Sequence, residues 1–122
     1  LFLQGGASLQ FSMVPLNLLA GENRSADYIL TDQWSEKALH EANKVAPCRV
    51  AGSTQNEKFG RIPRQDELNL DANATYVHVT TNNTLYGTQW KQMPETGDVP
   101  IVADASSDIL SRPLEVEKYG LI

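Results

Sequence analysis

One cysteine in 122 residues, Cys48, leaves no partner for an internal disulfide and suits a reducing, cytoplasmic setting. No apolar run approaches the roughly 20 residues of a membrane helix, so composition gives no membrane span. No basic cluster offsets the net charge of −5, which argues against a nucleic-acid surface. G-x-G-x-x-G and the P-loop lysine are both absent. So are internal repeats and low-complexity tracts. Leu1-Phe2-Leu3 has no basic stretch before it, so the start does not read as a signal peptide. Asn73-Ala74-Thr75 and Asn82-Asn83-Thr84 match the glycosylation acceptor pattern, but nothing else points to secretion.

What is present suits one folded unit. Hydrophobic residues make up 41% and charged residues 20%, enough for a modest core and too apolar for a disordered chain. Both ends, Leu1-Phe2-Leu3-Gln4 and Gly120-Leu121-Ile122, look like strands cut through. Residues 1–122 are therefore expected to be part of one larger domain.

In chain order, Leu1 to Gln4 reads as the tail of a buried strand. Gly5-Gly6-Ala7 is a tight turn, and Ser8 is the expected N-cap of an apolar helix reaching Leu19, with Pro15 as a weak point. A glycine turn between a strand and a helix points backbone N–H groups at an anion, although it is more often only a turn. Ala26 to Thr31 looks like a strand. Trp34 to Ala46 is the clearest helix, with Ala38, Leu39, Ala42, Val45 and Ala46 on one stripe and Pro47 ending it. Trp34 stands at its start, where an indole packs or offers its face to a flat ligand. His40 reads as a solvated helix residue.

Cys48 to Gly52 predicts a short strand, Ser53 to Arg64 a surface loop, and Gln65 to Ala72 a short helix or irregular chain. Thr75 to Thr80 alternates and is β-branched, which predicts a strand carrying His78 with a local hydrogen bond. Tyr86 to Trp90 is expected to run into a loop. Pro100-Ile101-Val102-Ala103-Asp104 is a short buried strand ending in a carboxylate, and Leu114 to Tyr119 a short helix. A carboxylate there is costly unless it meets a cation or donors. Asp104 either caps the next turn or faces a positively charged ligand. Strands alternating with helices give an α/β class, with a mostly parallel sheet and flanking helices. In such sheets ligands collect at the carboxyl ends of strands.

Four such ends carry chemistry: the turn Gly5 to Ser8, Trp34, Thr84 and Asp104. A phosphate cup, an aromatic face, a hydroxyl and a carboxylate suit a flat, phosphorylated molecule with a cationic ring. Pyridoxal phosphate fits, because a carboxylate at its pyridinium nitrogen makes the ring an electron sink.

Three stretches then carry a resemblance: Gly5 to Phe11, Asn82 to Trp90, and Val102 to Pro113. In order and spacing they resemble the phosphoserine aminotransferases, a class-V pyridoxal-phosphate family with the aspartate-aminotransferase-like fold. The likeness covers the middle of that family's large, cofactor-binding domain. It implies that Ala7 and Ser8 hold the cofactor phosphate, although some members place Gly-Arg there. It implies that Trp34 stacks on the ring, Thr84 lies near its oxygen side, and Asp104 meets its nitrogen. It further implies a cytoplasmic homodimer that transfers an amino group between glutamate and 3-phosphohydroxypyruvate in serine synthesis. The family's Schiff-base lysine follows the run matching Gly120 to Ile122. Lys118 precedes that run and does not replace it, so the chain as given is expected to be inactive. Rival readings are another class-V enzyme, of the serine–glyoxylate aminotransferase or cysteine desulfurase type, or a non-catalytic binding domain.

Overall fold

A computed structural model describes residues 4–122. The expected strand at the amino end falls, apart from Gln4, outside the described residues. The sheet has five strands: β1 (Asp27–Leu30), β2 (Arg49–Ser53), β3 (Val77–Thr80), β6 (Ile101–Asp104) and β7 (Tyr119–Leu121). Its order is β2-β1-β3-β6-β7, and every pairing is parallel. A small antiparallel hairpin, β4 (Asn82–Asn83) with β5 (Thr88–Gln89), stands beyond the end of β3.

Side chains alternate across a strand, so one sheet makes two cores. Tyr28, Leu30, Tyr76 and Val102 face one way, against α1 (Gly6–Leu18) and α2 (Gln33–Ala42) through Phe11, Ala38 and Ala42. Ile29, Val77, Val79, Ile101 and Ala103 face the other way and are covered by irregular chain carrying Ile62, Leu68 and Leu70. β6 is apolar up to Asp104, as burial on both faces requires, whereas β3 turns its valines to one face and the polar His78 and Thr80 to the other. On the helix side, the Tyr28 and Tyr76 hydroxyls meet at 2.8 Å, so two buried phenols satisfy each other. At the amino end of β1, buried Asp27 accepts from the Asp71 backbone N–H at 2.6 Å and lies 3.5 Å from Arg49.

The chain leaves β1 for β2 on one side and returns with β3 on the other. The order reverses between β1 and β3, which makes the carboxyl ends of those strands the switch point of the sheet.

Several expectations need correction. Ser8 is not the N-cap. Gly5 is, at φ 108°, and Ser8 lies inside the helix. Pro15 does not stop α1, which runs on to Leu18. The helix from Trp34 closes at Ala42, before Pro47, as the chain turns through residues 43–45. Residues 88–89 pair with the hairpin rather than entering a loop. Of the short helix or irregular chain expected at 65–72, one 3-10 turn, Gln65–Glu67, forms and irregular chain follows, while the helix expected at 114–119 shrinks to the 3-10 turn Val116–Lys118.

Candidate functional site

α1 begins without a side-chain cap hydrogen bond. Gly5 offers no side chain, and no acidic residue occupies the first turn. Its first N–H groups therefore keep their positive end open to an anion. Glycine at position 5 is required twice over. Its φ is left-handed, and a Cβ there would come within 2.6 Å of the Leu9 side chain. Ala7 is half-buried and Ser8 exposed in this first turn.

α2 starts in the opposite manner. Asp32, fully buried, accepts from the Ser35 backbone N–H at 2.8 Å, and the Ser35 hydroxyl returns to the Asp32 backbone. This capping box fixes the first turn of α2 and with it Trp34. Trp34 is half-buried and packs on the helix-side core, with the Lys37 ammonium 4.1 Å from its ring centroid. Burial pushes the Asp32 carboxyl upward, against the pull of its Ser35 and Trp34 hydrogen bonds. Its second oxygen has no partner among the described residues.

Asp104 ends β6. One carboxylate oxygen accepts from the Ser106 N–H at 3.1 Å, so it does cap the next turn. Its backbone carbonyl accepts from the Thr81 N–H at 2.9 Å and the Thr81 hydroxyl at 3.2 Å. The carboxylate also lines a cavity of about 320 Å³ against the helix side of the sheet, together with Ala7, Phe11, Tyr28 and His78. A larger groove of about 1060 Å³ touches none of Ala7, Ser8, Trp34, Thr84 or Asp104. The smaller cavity brings the titratable Tyr28, His78 and Asp104 together with Ala7 of the first turn of α1.

His78 corrects another expectation. It has no local hydrogen bond. Its ring stacks on Tyr28 with centroids 4.7 Å apart and meets the Phe11 edge at 6.3 Å, and Nδ1 has no partner among the described residues. Burial holds its pKa down to about 4, although nearby Asp104 draws it upward.

Thr84 sits exposed in the hairpin turn. The hairpin is tied down below it. Thr31 donates to Asn83 at 3.0 Å, and Asn83 donates to Thr88 at 2.9 Å. Asn82 donates to Ser107 at 3.0 Å and Gln89 to Asp108 at 2.9 Å. The Thr81 hydroxyl also donates to Asp108. The turn after Asp104 and the hairpin are thus tied to each other by side-chain hydrogen bonds.

Of the residues expected at the site, Ala7 and Asp104 share the cavity. Trp34 packs against the helix-side core, and Ser8 and Thr84 are exposed; none of these three lines the cavity. Sequence reasoning missed Asp32, Thr80 and Asp108. The pattern Asp32-Gln33-Trp34-Ser35 carries a capping signature that could have revealed the first. Nothing local marks the other two.

The chain matches the family model described as aminotransferase class-V over residues 1–121. It is 56% identical to the phosphoserine aminotransferase of Herpetosiphon aurantiacus over 122 residues, all of this chain and 34% of that protein. It is 52% identical to that of Lysinibacillus sphaericus, again along its whole length and over 33% of the relative. Among solved structures, the phosphoserine aminotransferase of Bacillus circulans subsp. alkalophilus superposes with a TM-score of 0.94 at 44% identity, over 99% of this chain and 34% of that one. The pyridoxal-phosphate-bound phosphoserine aminotransferase of Trichomonas vaginalis gives 0.82 at 36% identity, over 96% and 35%. The chain spans about a third of the length of these relatives. With a match along nearly all of its residues, the chain belongs to the class-V aminotransferase family.

Proposed function

We propose that residues 1–122 are part of the cofactor-binding large domain of a phosphoserine aminotransferase. The substrates are glutamate and 3-phosphohydroxypyruvate, the product serves serine synthesis, and the whole enzyme acts as a cytoplasmic homodimer. The observation that carries this reading is the pairing of an uncapped helix start with a carboxylate across one cavity. An anion and a cation spaced along a flat molecule suit that pair.

The residues fit pyridoxal phosphate. The open N–H groups of the α1 first turn and the Ser8 hydroxyl would hold its phosphate. Asp104, with one oxygen committed to Ser106 and the other free of hydrogen bonds among the described residues, would meet the ring nitrogen. Trp34 would cover a ring face, and Thr84 would approach the oxygen side. When bound, the cofactor supplies the electron sink and the amino-group carrier of transamination. The chain's own task is to keep a proton on the ring nitrogen with the Asp104 carboxylate, orient the ring with the indole, and keep water from the helix-side cavity.

The test is Asp104→Ala in the full-length protein that carries this chain, assayed with glutamate and phosphohydroxypyruvate and with product identification. Most activity is expected to go, on the order of 100-fold or more, since a buried charge-assisted contact is lost. Near-normal turnover in the variant, or wild-type activity on other substrates only, overturns the assignment.

A further inference from the structure

We infer that Asp108 is a positioning residue: it latches the hairpin that carries Thr84 to the turn that follows Asp104. This rests on the reading that Thr84 approaches the cofactor. After Asp104 the chain folds back on itself, and the Asp108 N–H donates to the Ala105 carbonyl at 3.1 Å. That turn sets the Asp108 carboxylate against the hairpin. One oxygen accepts from the Thr81 hydroxyl at the foot of β4, and the other accepts from the Gln89 side-chain amide of β5 at 2.9 Å. One side chain thus grips both arms of a hairpin whose strands are 2 residues each. Residues 84–87 join the arms in an exposed turn that begins at Thr84.

The Asp108 carboxylate does not serve its own turn. Among the described residues it accepts from side chains of the hairpin and from no backbone N–H, whereas Asp104 takes the Ser106 N–H. Its side chain is only 7% exposed, and the Arg112 guanidinium stands off at 3.8 Å. A carboxylate that buried needs donors, and its charge strengthens the bonds they make. Asn82 and Ser107 add a second tie. The Asn82 amide donates to the Ser107 hydroxyl at 3.0 Å, and that hydroxyl donates to the Asn82 carbonyl at 3.1 Å. The Thr81 N–H donates in turn to the Asp104 carbonyl at 2.9 Å. Asp104 and the foot of the hairpin therefore share one frame, and the latch extends it to β5. A hairpin this short is marginal by itself, so the latch is what gives Thr84 a fixed place relative to Asp104.

The rival account gives the latch to the fold alone, and donor chemistry separates the two. In the full-length protein, the dissociation constant for pyridoxal phosphate by equilibrium dialysis and the thermal midpoint of the cofactor-free form are measured for four variants. These are Gln89→Glu, Gln89→Glu with Asp108→Asn, Thr84→Ala, and Thr84→Ala with Gln89→Glu. Gln89→Glu turns a donor into a carboxylate facing a carboxylate. It is expected to weaken binding about tenfold, the worth of one charge-assisted hydrogen bond, and to melt close to wild type because Gln89 is exposed. Adding Asp108→Asn rebuilds the latch, since asparagine keeps an oxygen for Thr81 and its amide donates to the glutamate; binding returns to within about twofold of wild type. Thr84→Ala is expected to weaken binding about tenfold, and Gln89→Glu then adds little, because the latch acts through Thr84. Binding by Gln89→Glu within about twofold of wild type, no recovery in the exchanged pair, or a full further loss on top of Thr84→Ala overturns the latch. So does a Gln89→Glu protein that melts well below wild type, since the latch then serves the fold. Unchanged binding by Thr84→Ala overturns the placing of Thr84, and a wild-type protein that does not bind pyridoxal phosphate overturns the functional reading itself; this inference falls with either.

Discussion

Asp32 offers the sharpest test of how the site is built. Its carboxylate does two things of opposite sign. One oxygen caps α2 by accepting from Ser35 N–H at 2.8 Å, and the other is buried with nothing to bond. Asp32→Ala removes the cap and strands a buried N–H. The cap alone is worth about 1 kcal/mol and an unsatisfied donor about as much again, so a loss of roughly 2 kcal/mol is expected. In a larger domain of 150–250 residues that lowers the thermal midpoint by roughly 4–8 °C. Asp32→Asn keeps an acceptor on the same atom and discards the buried charge. Asparagine caps as well as aspartate does, so this variant is expected to match or exceed wild type at neutral pH. The pH dependence fixes the sign. Burial raises the Asp32 pKa in the fold, so the folded chain binds more protons than the unfolded one between the ordinary carboxyl value and the raised one. Stability attributable to Asp32 therefore falls as pH rises through that window, and the advantage of asparagine disappears in acid. Thermal unfolding followed by circular dichroism at neutral and acid pH measures both variants. If Asp32→Asn is as damaging as Asp32→Ala, the charge rather than the acceptor holds the helix start, and the reasoning fails.

Three further outcomes are expected. Lowering pH from the ordinary histidine value of 6.5 toward about 4 should cost the wild type roughly 3 kcal/mol through His78, because the unfolded chain takes up the proton first; His78→Phe should flatten that slope in pH-dependent denaturation. Tyr28→Phe or Tyr76→Phe alone should each cost about 1–3 kcal/mol by orphaning the other hydroxyl, whereas the double variant should cost less than the sum in a urea-denaturation cycle. Gly5→Ala should both destabilise the start of α1, by about 1–2 kcal/mol from its left-handed backbone alone, and weaken binding of pyridoxal phosphate in the full-length protein; unchanged affinity would remove the first turn of α1 from the phosphate site.

Much of the fold was legible because its signals are local. The apolar run Ile101–Ala103 and the β-branched alternation of Thr75–Thr80 announce buried strands, and the stripe from Ala38 to Ala42 announces α2. Asp104 stood out because a carboxylate at the end of such a run demands a reason. Other features stayed hidden because they depend on chain far away. The pairing of Asn82–Asn83 with Thr88–Gln89 is too short to leave a periodic pattern. Strand order, and hence the switch point between β1 and β3, is a tertiary choice that no window of sequence contains. Thr80 looks like any β-branched strand residue until the register sets it opposite Asp104. Serine is a frequent cap, so Ser8 reads as one, whereas the left-handed turn at Gly5 starts the helix earlier.

The two tryptophans occupy opposite sides of the sheet. Trp90 is buried in the core beneath the irregular chain, while Trp34 is half-buried beside the site with a lysine ammonium over its ring. This chain thus carries two intrinsic fluorophores in unlike surroundings, one in the interior and one at the half-buried start of α2. Emission from a Trp90→Phe variant of this chain would come from Trp34 alone, giving a label-free optical readout of anything that settles against that indole.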